Sequence, residues 1–96
     1  MKEDKGSQNY DSIMNREGVS GILRYLHDHS EAKNVDLKTV IRNHYRLHDT
    51  MDALEQAGLV EVEYQTTPKR IYRYWLTIKG KAASKKLIEI ERILRT

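Results

Sequence analysis

The sequence predicts a mostly helical α+β fold with the element order helix, helix, helix, β-hairpin, helix. Three observations support this prediction. Apolar residues recur at helical spacing before residue 58, they alternate with polar residues over 59–77, and helical spacing returns from 78 to about 95. The second and third helices are separated by only about three residues, which is typical of a helix-turn-helix.

The composition indicates one small, highly charged domain. The chain has 96 residues, with 17 Lys and Arg against 14 Asp and Glu, and its formal net charge is +3. A net charge of this size does not by itself indicate nucleic-acid binding, so the positions of the charges must decide. There is no cysteine and no apolar run of about 20 residues, which favours a cytoplasmic protein that does not enter a membrane.

Three segments are expected along the chain. Residues 1–14 are expected to form a disordered or loosely held tail, because the first nine residues contain no apolar stretch and no secretory signal. Residues 15–77 are expected to form the folded domain. Residues 78–96 are expected to form a C-terminal helix that acts as the dimerisation element.

Apolar stripes predict the first two helices. A helix over about 15–29, with Asn15 as its N-cap, has buried positions at i, i+3, i+4 and i+7. Val35 is expected to form a strand of one or two residues, and Asp36 is the expected N-cap of a short second helix. The expected buried residues of the two helices are Val19, Ile22, Leu23, Leu26, Leu37, Val40 and Ile41.

The third helix is predicted from about 46 to 57, and its end is the best defined in the chain. Gly58 is expected to adopt the left-handed conformation after the helix, which would place Leu59 over Leu54 in a Schellman motif. The buried stripe of this helix consists of Leu47, Met51 and Leu54.

A β-hairpin is predicted after the third helix. Two runs with a period of two flank the turn segment 66–70, which contains the only proline. Thr77 is the expected N-cap of the last helix. The alternating apolar and aromatic residues of the two strands are Val60, Val62, Tyr64, Tyr72, Tyr74 and Leu76.

Two strings, LEQAGLV at 54–60 and LTIKG at 76–80, close the third helix and open the last one. With these strings and the short turn, residues 15–95 resemble the winged helix-turn-helix regulators of the MarR and PadR kind and their small archaeal relatives. The resemblance implies three helices, a two-stranded wing, a long C-terminal helix, and double-stranded DNA as a partner. The chain has no room for the extra dimerisation helices of larger MarR proteins, so their ligand binding is not expected here.

Candidate DNA-binding residues lie at the start of the third helix, just before it, and in the wing. Arginine can pair with guanine through two hydrogen bonds, and tyrosine or histidine can contact phosphates. Cations at the wing tip can neutralise phosphates. A solvated helix face is the alternative, which Asp49 and Asp52 favour because they repel phosphate; Thr50 is also expected to face outward. The candidates are Lys38, Arg42, Asn43, Tyr45, Arg46, His48, Lys69, Arg70 and Arg73.

The sequence carries no complete pattern for metal binding or catalysis. His44 and His48 have the spacing of two ligands on one helix face, but His44 is placed in the turn and no third ligand lies near. The serines show no nucleophile–base arrangement, and there is no glycine-rich phosphate loop. The sequence therefore predicts no metal, no cofactor, no catalytic residue and no enzyme activity.

The last helix carries an apolar seam with the spacing of a short coiled coil, and Ile88 and Ile93 widen it. The alternative is that this helix simply packs on Ile22 and Leu26 of its own chain. We expect one edge to cover its own core while the other meets a second copy in a two-fold dimer. The seam residues are Ala83, Leu87, Ile90 and Leu94.

The sequence thus predicts a homodimer that binds duplex DNA in a sequence-specific way and regulates transcription. Two alternatives stay open, a winged-helix module that binds protein and a packaging protein without sequence preference. Salt-dependent binding to random duplex would exclude the first alternative, and discrimination between operator and random DNA would exclude the second. The sequence does not indicate a small-molecule effector.

Overall fold

The computed structural model describes residues 12–96. This part of the chain contains four α-helices and one three-stranded antiparallel sheet, which confirms the predicted fold class. Within the same range, no helix is long and apolar enough to cross a membrane. After a 3-10 turn at Ile13–Asn15, the elements are α1 (Val19–Asp28), β1 (Ala32–Lys33), α2 (Asn34–Leu37), α3 (His44–Gln56), β2 (Val60–Gln65), β3 (Ile71–Leu76) and α4 (Ile78–Arg95).

The core forms where the first three helices pack against one face of the sheet. The predicted apolar stripes are buried, except that Val40 is half-buried. Each fully buried side chain of this kind contributes about 1.5–3 kcal/mol to folding. The buried residues of the helices and of the segment after α2 are Val19, Ile22, Leu23, Leu26, Leu37, Ile41, Leu47, Met51 and Leu54, and the sheet adds Ala32, Val60, Tyr74 and Leu76.

The start of α1 differs from the prediction. Gly18, with φ 77°, is the N-cap, so the expected N-cap at Asn15 is wrong. A Cβ on Gly18 would lie 2.5 Å from the Ile41 side chain, so glycine also permits a close approach between α1 and the segment after α2. Ile13 packs against the core from the end of the predicted 1–14 tail, whose first 11 residues lie outside the described range.

The start of α2 also differs from the prediction. Asp36 is not the N-cap but lies within α2, where its carboxylate accepts a hydrogen bond from the backbone N–H of Lys33 at 2.9 Å. Val35 lies in α2 and is exposed, so the predicted strand position is wrong. The strand comes earlier, and Ala32 pairs with Tyr74 of β3. An acidic side chain can stabilise the start of a helix from its third position as well as from the N-cap.

Asn43 sets the start of α3. Its side-chain Oδ1 accepts a hydrogen bond from the backbone N–H of Arg46 at 3.0 Å. The helix therefore begins two residues before the predicted start. His44 and Tyr45 lie in its first turn and not in the preceding loop, which corrects the predicted position of His44.

The predicted end of α3 is confirmed. Gly58 has φ 78°, and its N–H donates to the Glu55 carbonyl at 2.9 Å. The N–H of Leu59 donates to the Leu54 carbonyl at 3.0 Å. These two hydrogen bonds are the pair that defines a Schellman motif.

The predicted hairpin is present and its register is defined. Val60 pairs with Leu76, and Tyr64 pairs with Tyr72. Because successive side chains alternate across a strand, the even-numbered residues of β2 and β3 share the face toward the helices and the odd-numbered ones form the outer face. β1 adds a third strand beside β3, giving the order β1-β3-β2.

Thr77 joins the end of α3 to the start of α4. As the predicted N-cap, its hydroxyl oxygen accepts from the N–H of Gly80 at 2.9 Å, and the same hydroxyl donates to the Gly58 carbonyl at 2.6 Å. Its own N–H donates to the Leu59 carbonyl at 3.1 Å. These bonds fix the position of α4 relative to α3.

Candidate nucleic-acid interface

A groove of about 480 Å³ lies between the first half of α3 and the β2–β3 hairpin. It brings together side chains from two consecutive elements, the helix α3 and the hairpin that follows it. The side chains that line it are polar, aromatic or basic. They belong to Asn34, His44, Tyr45, His48, Tyr64, Arg70 and Tyr72.

Ring contacts connect α3 to the hairpin beside this groove. The ring centroids are 4.5 Å apart for His44 and His48, 4.8 Å for His48 and Tyr72, and 4.4 Å for Tyr72 and Tyr64. The two histidines lie one turn apart on α3, and the two tyrosines are cross-strand partners. Aromatic contacts contribute about 0.5–1.5 kcal/mol each, so the cluster helps to hold α3 in one orientation against the hairpin.

The surroundings of His48 disfavour its charged form. Burial is the main cause that lowers its pKa below the ordinary value, and the neighbouring His44 lowers it further. Asp52 acts in the opposite direction, and Lys38 makes the smallest contribution to the lowering. A neutral imidazole presents one hydrogen-bond donor and one acceptor, whereas a protonated one presents two donors.

Arg46 lies on α3 and forms an ion pair with Glu17. The Nη1 atom of Arg46 is 3.6 Å from Oε1 of Glu17, and both side chains are more than half exposed. Exposed pairs of this kind contribute about 0–1 kcal/mol, so the arginine can exchange this partner for another at little cost. Thr50, expected to face outward, is buried instead, and its hydroxyl donates to the backbone carbonyl of Glu17 at 3.3 Å.

The hairpin separates its three predicted cations. Lys69 and Arg70 are exposed in the turn, and Arg70 lines the groove. Arg73 is an odd-numbered residue of β3 and therefore lies on the outer face of the sheet, where it pairs in register with Glu63. Trp75 lies on the same outer face and donates to a Glu61 carboxylate oxygen at 2.7 Å. The structure therefore does not bring Arg73 together with the other candidates.

Comparison with solved structures decides the fold. A transcriptional regulator homologue from Pyrococcus horikoshii OT3 is 18% identical, with 99% of this chain and 96% of that chain covered and a TM-score of 0.75. The ytfH protein from Salmonella typhimurium, described as a candidate transcriptional regulator, is 21% identical, with 93% of this chain and 80% of that chain covered and a TM-score of 0.79. A MarR mutant from E. coli in complex with operator DNA is 22% identical, with 86% of this chain and 66% of that chain covered and a TM-score of 0.63. No family model matches the chain, and no curated protein matches it.

The chain has a winged helix-turn-helix fold. In this fold α2 and α3 form the helix-turn-helix, α3 takes the position named the recognition helix, and β2 and β3 form the wing. Lys38 and Arg42 are exposed between the two helices. Asn43 is exposed as well, but its Oδ1 already caps the recognition helix. Tyr45 is 81% exposed and is the most accessible aromatic side chain among the described residues.

Asn34, Tyr64 and Tyr72 line the groove although no local sequence pattern marks them as DNA-binding candidates, and the spacing of His44 suggests only a metal ligand. Tyr64 and Tyr72 are even-numbered residues of the strands and lie on the sheet face toward the helices, as the alternation of apolar and polar residues in the sequence indicates. Their position opposite each other depends on the register of the hairpin, and that register cannot be read from either strand alone. Within residues 12–96, no group of three metal-ligating side chains is close enough to hold a metal ion.

The predicted seam on α4 divides into two halves. Ala83 and Leu87 are half-buried and pack against the core of their own chain. Ile90 and Leu94, one and two turns further along, are 54% and 77% exposed, and Ile93 beside them is 71% exposed. The helix thus extends beyond the core that it covers, and its last turns carry unpartnered apolar side chains.

Proposed function

We propose that this winged-helix protein binds duplex DNA through its recognition helix and wing and regulates transcription, without enzymatic activity. The observation that carries the proposal is the shared groove. Tyr45 and His48 from the recognition helix and Arg70 from the wing line it together, with Arg46 and Lys69 exposed as their neighbours. Two consecutive elements, the helix and the hairpin, therefore present hydrogen-bond donors and cations on one surface.

The first turn of the recognition helix is proposed to contact base edges. Only this end of such a helix reaches the floor of the major groove. Tyr45 is exposed there, and Arg46 can form two hydrogen bonds to guanine once it leaves Glu17. Sequence-specific binding is proposed on this basis.

Phosphate contacts are proposed for the cations around that helix. Lys69 and Arg70 at the wing tip would neutralise phosphates and release counterions, which supplies affinity independent of sequence. Lys38 and Arg42, exposed just before the recognition helix, would contact the backbone on the other side. Arg73 is left out of this surface because it lies on the outer face of the sheet.

Similar solved structures support the same function. Two are named as regulators or regulator homologues, and the MarR mutant was solved with operator DNA. At 18–22% identity these likenesses concern the fold, and the function rests on the groove in this chain.

A homodimer is proposed through the end of α4. Ile90, Ile93 and Leu94 leave an apolar strip exposed that no part of residues 12–96 covers. A two-fold interface along this strip would place two recognition helices on successive turns of the DNA major groove.

Fluorescence anisotropy with a labelled duplex of random sequence tests the proposal. We expect affinity to fall linearly with salt on logarithmic axes. A selection of bound fragments from a random DNA pool should then yield a site bound about 10³-fold or more tighter than random duplex. No binding at low salt would contradict DNA binding and favour a protein-binding module. Binding without discrimination would favour a packaging protein.

A further inference from the structure

In the proposed function His48 is one of several side chains that line the groove, and His44 has no role. Half of the four histidines of the chain, His44 and His48, lie in contact at the start of the recognition helix. His48 also contacts the wing through Tyr72. Two titratable groups therefore lie where the helix and the wing meet.

The position of the groove indicates which part of DNA it would face. When a recognition helix lies in the major groove and a wing follows the adjacent minor groove, the sugar–phosphate backbone between the two grooves passes between the two protein elements. In that arrangement the groove between α3 and the wing would face this stretch of backbone. This step rests on the proposed DNA-binding function.

The chemistry of the groove suits a phosphodiester. Its lining provides phenol, imidazole, amide and guanidinium groups, and none of the described lining residues carries a carboxylate. Arg70 supplies a permanent positive charge. Phosphate oxygens accept hydrogen bonds from all of these groups, and a protonated imidazole would donate from both nitrogens.

We propose that this groove is a phosphodiester-binding site in which His48, with His44 in ring contact beside it, takes up a proton as the DNA backbone enters. DNA binding by this protein is then coupled to pH. The site adds His44, Tyr64, Tyr72 and Asn34 to the DNA-contacting surface.

The charges around His48 explain why protons would be taken up on binding and not before. In the free protein, burial and the adjacent His44 lower the pKa of His48, Lys38 adds to this, and Asp52 one turn along α3 opposes it. From the wing, His48 faces the ring of Tyr72, and Arg70 lines the same groove with a further positive charge. A phosphate charge in the groove would reverse this balance, because a nearby opposite charge favours the protonated form.

The sign of the pH effect follows from this difference. A histidine whose pKa is higher in the complex than in the free protein binds more protons in the complex. Affinity for DNA therefore rises as pH falls through the interval between the two pKa values and is constant outside it. For each histidine, a rise of one pKa unit on binding changes the affinity about tenfold across that interval.

The test compares two double variants over the pH range in which histidine titrates. H44Q/H48Q removes the groove histidines, and H27Q/H29Q is the matched control. His27 and His29 are exposed at the end of α1 and line a different cavity. Dissociation constants for one labelled duplex are measured from about pH 5.5 to about pH 8 at fixed ionic strength in phosphate-free buffers. We expect the wild type and the control to bind about tenfold or more tightly at the acidic end, and H44Q/H48Q to change less than about twofold.

Three outcomes would overturn the proposal. The wild-type affinity for DNA could be independent of pH, the pH dependence could persist in H44Q/H48Q, or the pH dependence could be lost in the control H27Q/H29Q. If H44Q/H48Q unfolds, H44Q alone decides, because His44 is exposed and its loss should reduce the dependence. Calorimetric titration in two buffers of different ionisation heat provides a second readout, in which the wild type should take up protons and H44Q should take up fewer. A wild type that binds no duplex at any pH would contradict the proposed function itself.

Discussion

Replacing Ile90 and Leu94 with glutamate tests the proposed dimer, and the exposure of these residues sets the size of the expected effect. Complete burial of an isoleucine or leucine side chain contributes about 1.5–3 kcal/mol. Since 54% and 77% of the two side chains is exposed in one chain, covering them in both chains would contribute about 4–8 kcal/mol. The whole binding free energy of a micromolar dimer is about 8 kcal/mol. Loss of this contribution, with like charges facing each other across the two-fold axis, should leave monomers.

The monomers should keep their fold, because neither side chain belongs to the buried core. The variant I78E/A82E is the matched control: it adds two glutamates four residues apart on the same helix, at the exposed Ile78 and Ala82 away from the seam. Sedimentation equilibrium gives the oligomeric state, and thermal unfolding checks the fold. The variant should also lose affinity for a DNA site with two half-sites, because the second half-site no longer gains from effective concentration.

Three results would refute this reasoning. A wild-type protein that is monomeric at high micromolar concentration has no such interface. Equal dissociation of I78E/A82E would mean that charge, and not the seam, controls association. An I90E/L94E variant that unfolds would assign the seam to the core of its own chain.

Three further predictions concern the proposed DNA surface and the frame that holds it. Replacing Lys69 and Arg70 with alanine should weaken binding to every duplex and make the salt slope shallower by about 2, which anisotropy at several salt concentrations measures; an unchanged slope would exclude the wing contacts. Glu17→Gln should tighten binding by up to about fivefold, because it removes a carboxylate that pairs weakly with the recognition helix, and weaker binding would contradict this. Gly80→Ala should destabilise the fold by about 1–3 kcal/mol, although alanine is the better helix former by about 1 kcal/mol, because its Cβ would overlap the backbone carbonyl oxygen of Leu59. A melting temperature equal to or above that of the wild type would contradict this last prediction.

The elements that the sequence predicts well are those whose signals are local and agree with one another. At the end of α3, the apolar stripe stops at Leu54 and Gly58 supplies the left-handed residue, so both signals place the same boundary. At the start of α4, Thr77 follows an alternating run and precedes a helical one, and its hydroxyl caps the helix as expected. Neither boundary depends on a residue far away in the sequence.

The N-caps that the sequence predicts for α1 and α2 are wrong for a physical reason. Asn15 and Asp36 are both good N-cap residues, but side-chain type does not distinguish a cap from a position near it. Asp36 stabilises its helix from within by accepting from Lys33, and at Gly18 the close approach of Ile41 leaves no room for a side chain. The second cause is a tertiary contact, which no local pattern contains.

The candidate site was predictable in outline and not in its members. Lys69, Arg70 and Arg73 are close in sequence, which suggests one basic group. Side chains alternate along β3, however, so Arg73 lies on the outer face, opposite to its neighbours Tyr72 and Tyr74. The alternation of these tyrosines in the sequence already indicates this separation. The groove itself needs two facts that are absent from the sequence, namely the hairpin register and the seating of α3 against the wing. The contact between His48 and Tyr72 joins α3 to the wing, so the proposed proton uptake and the seating of α3 involve the same pair of rings. A variant of His48 should therefore change the melting temperature and the pH dependence together.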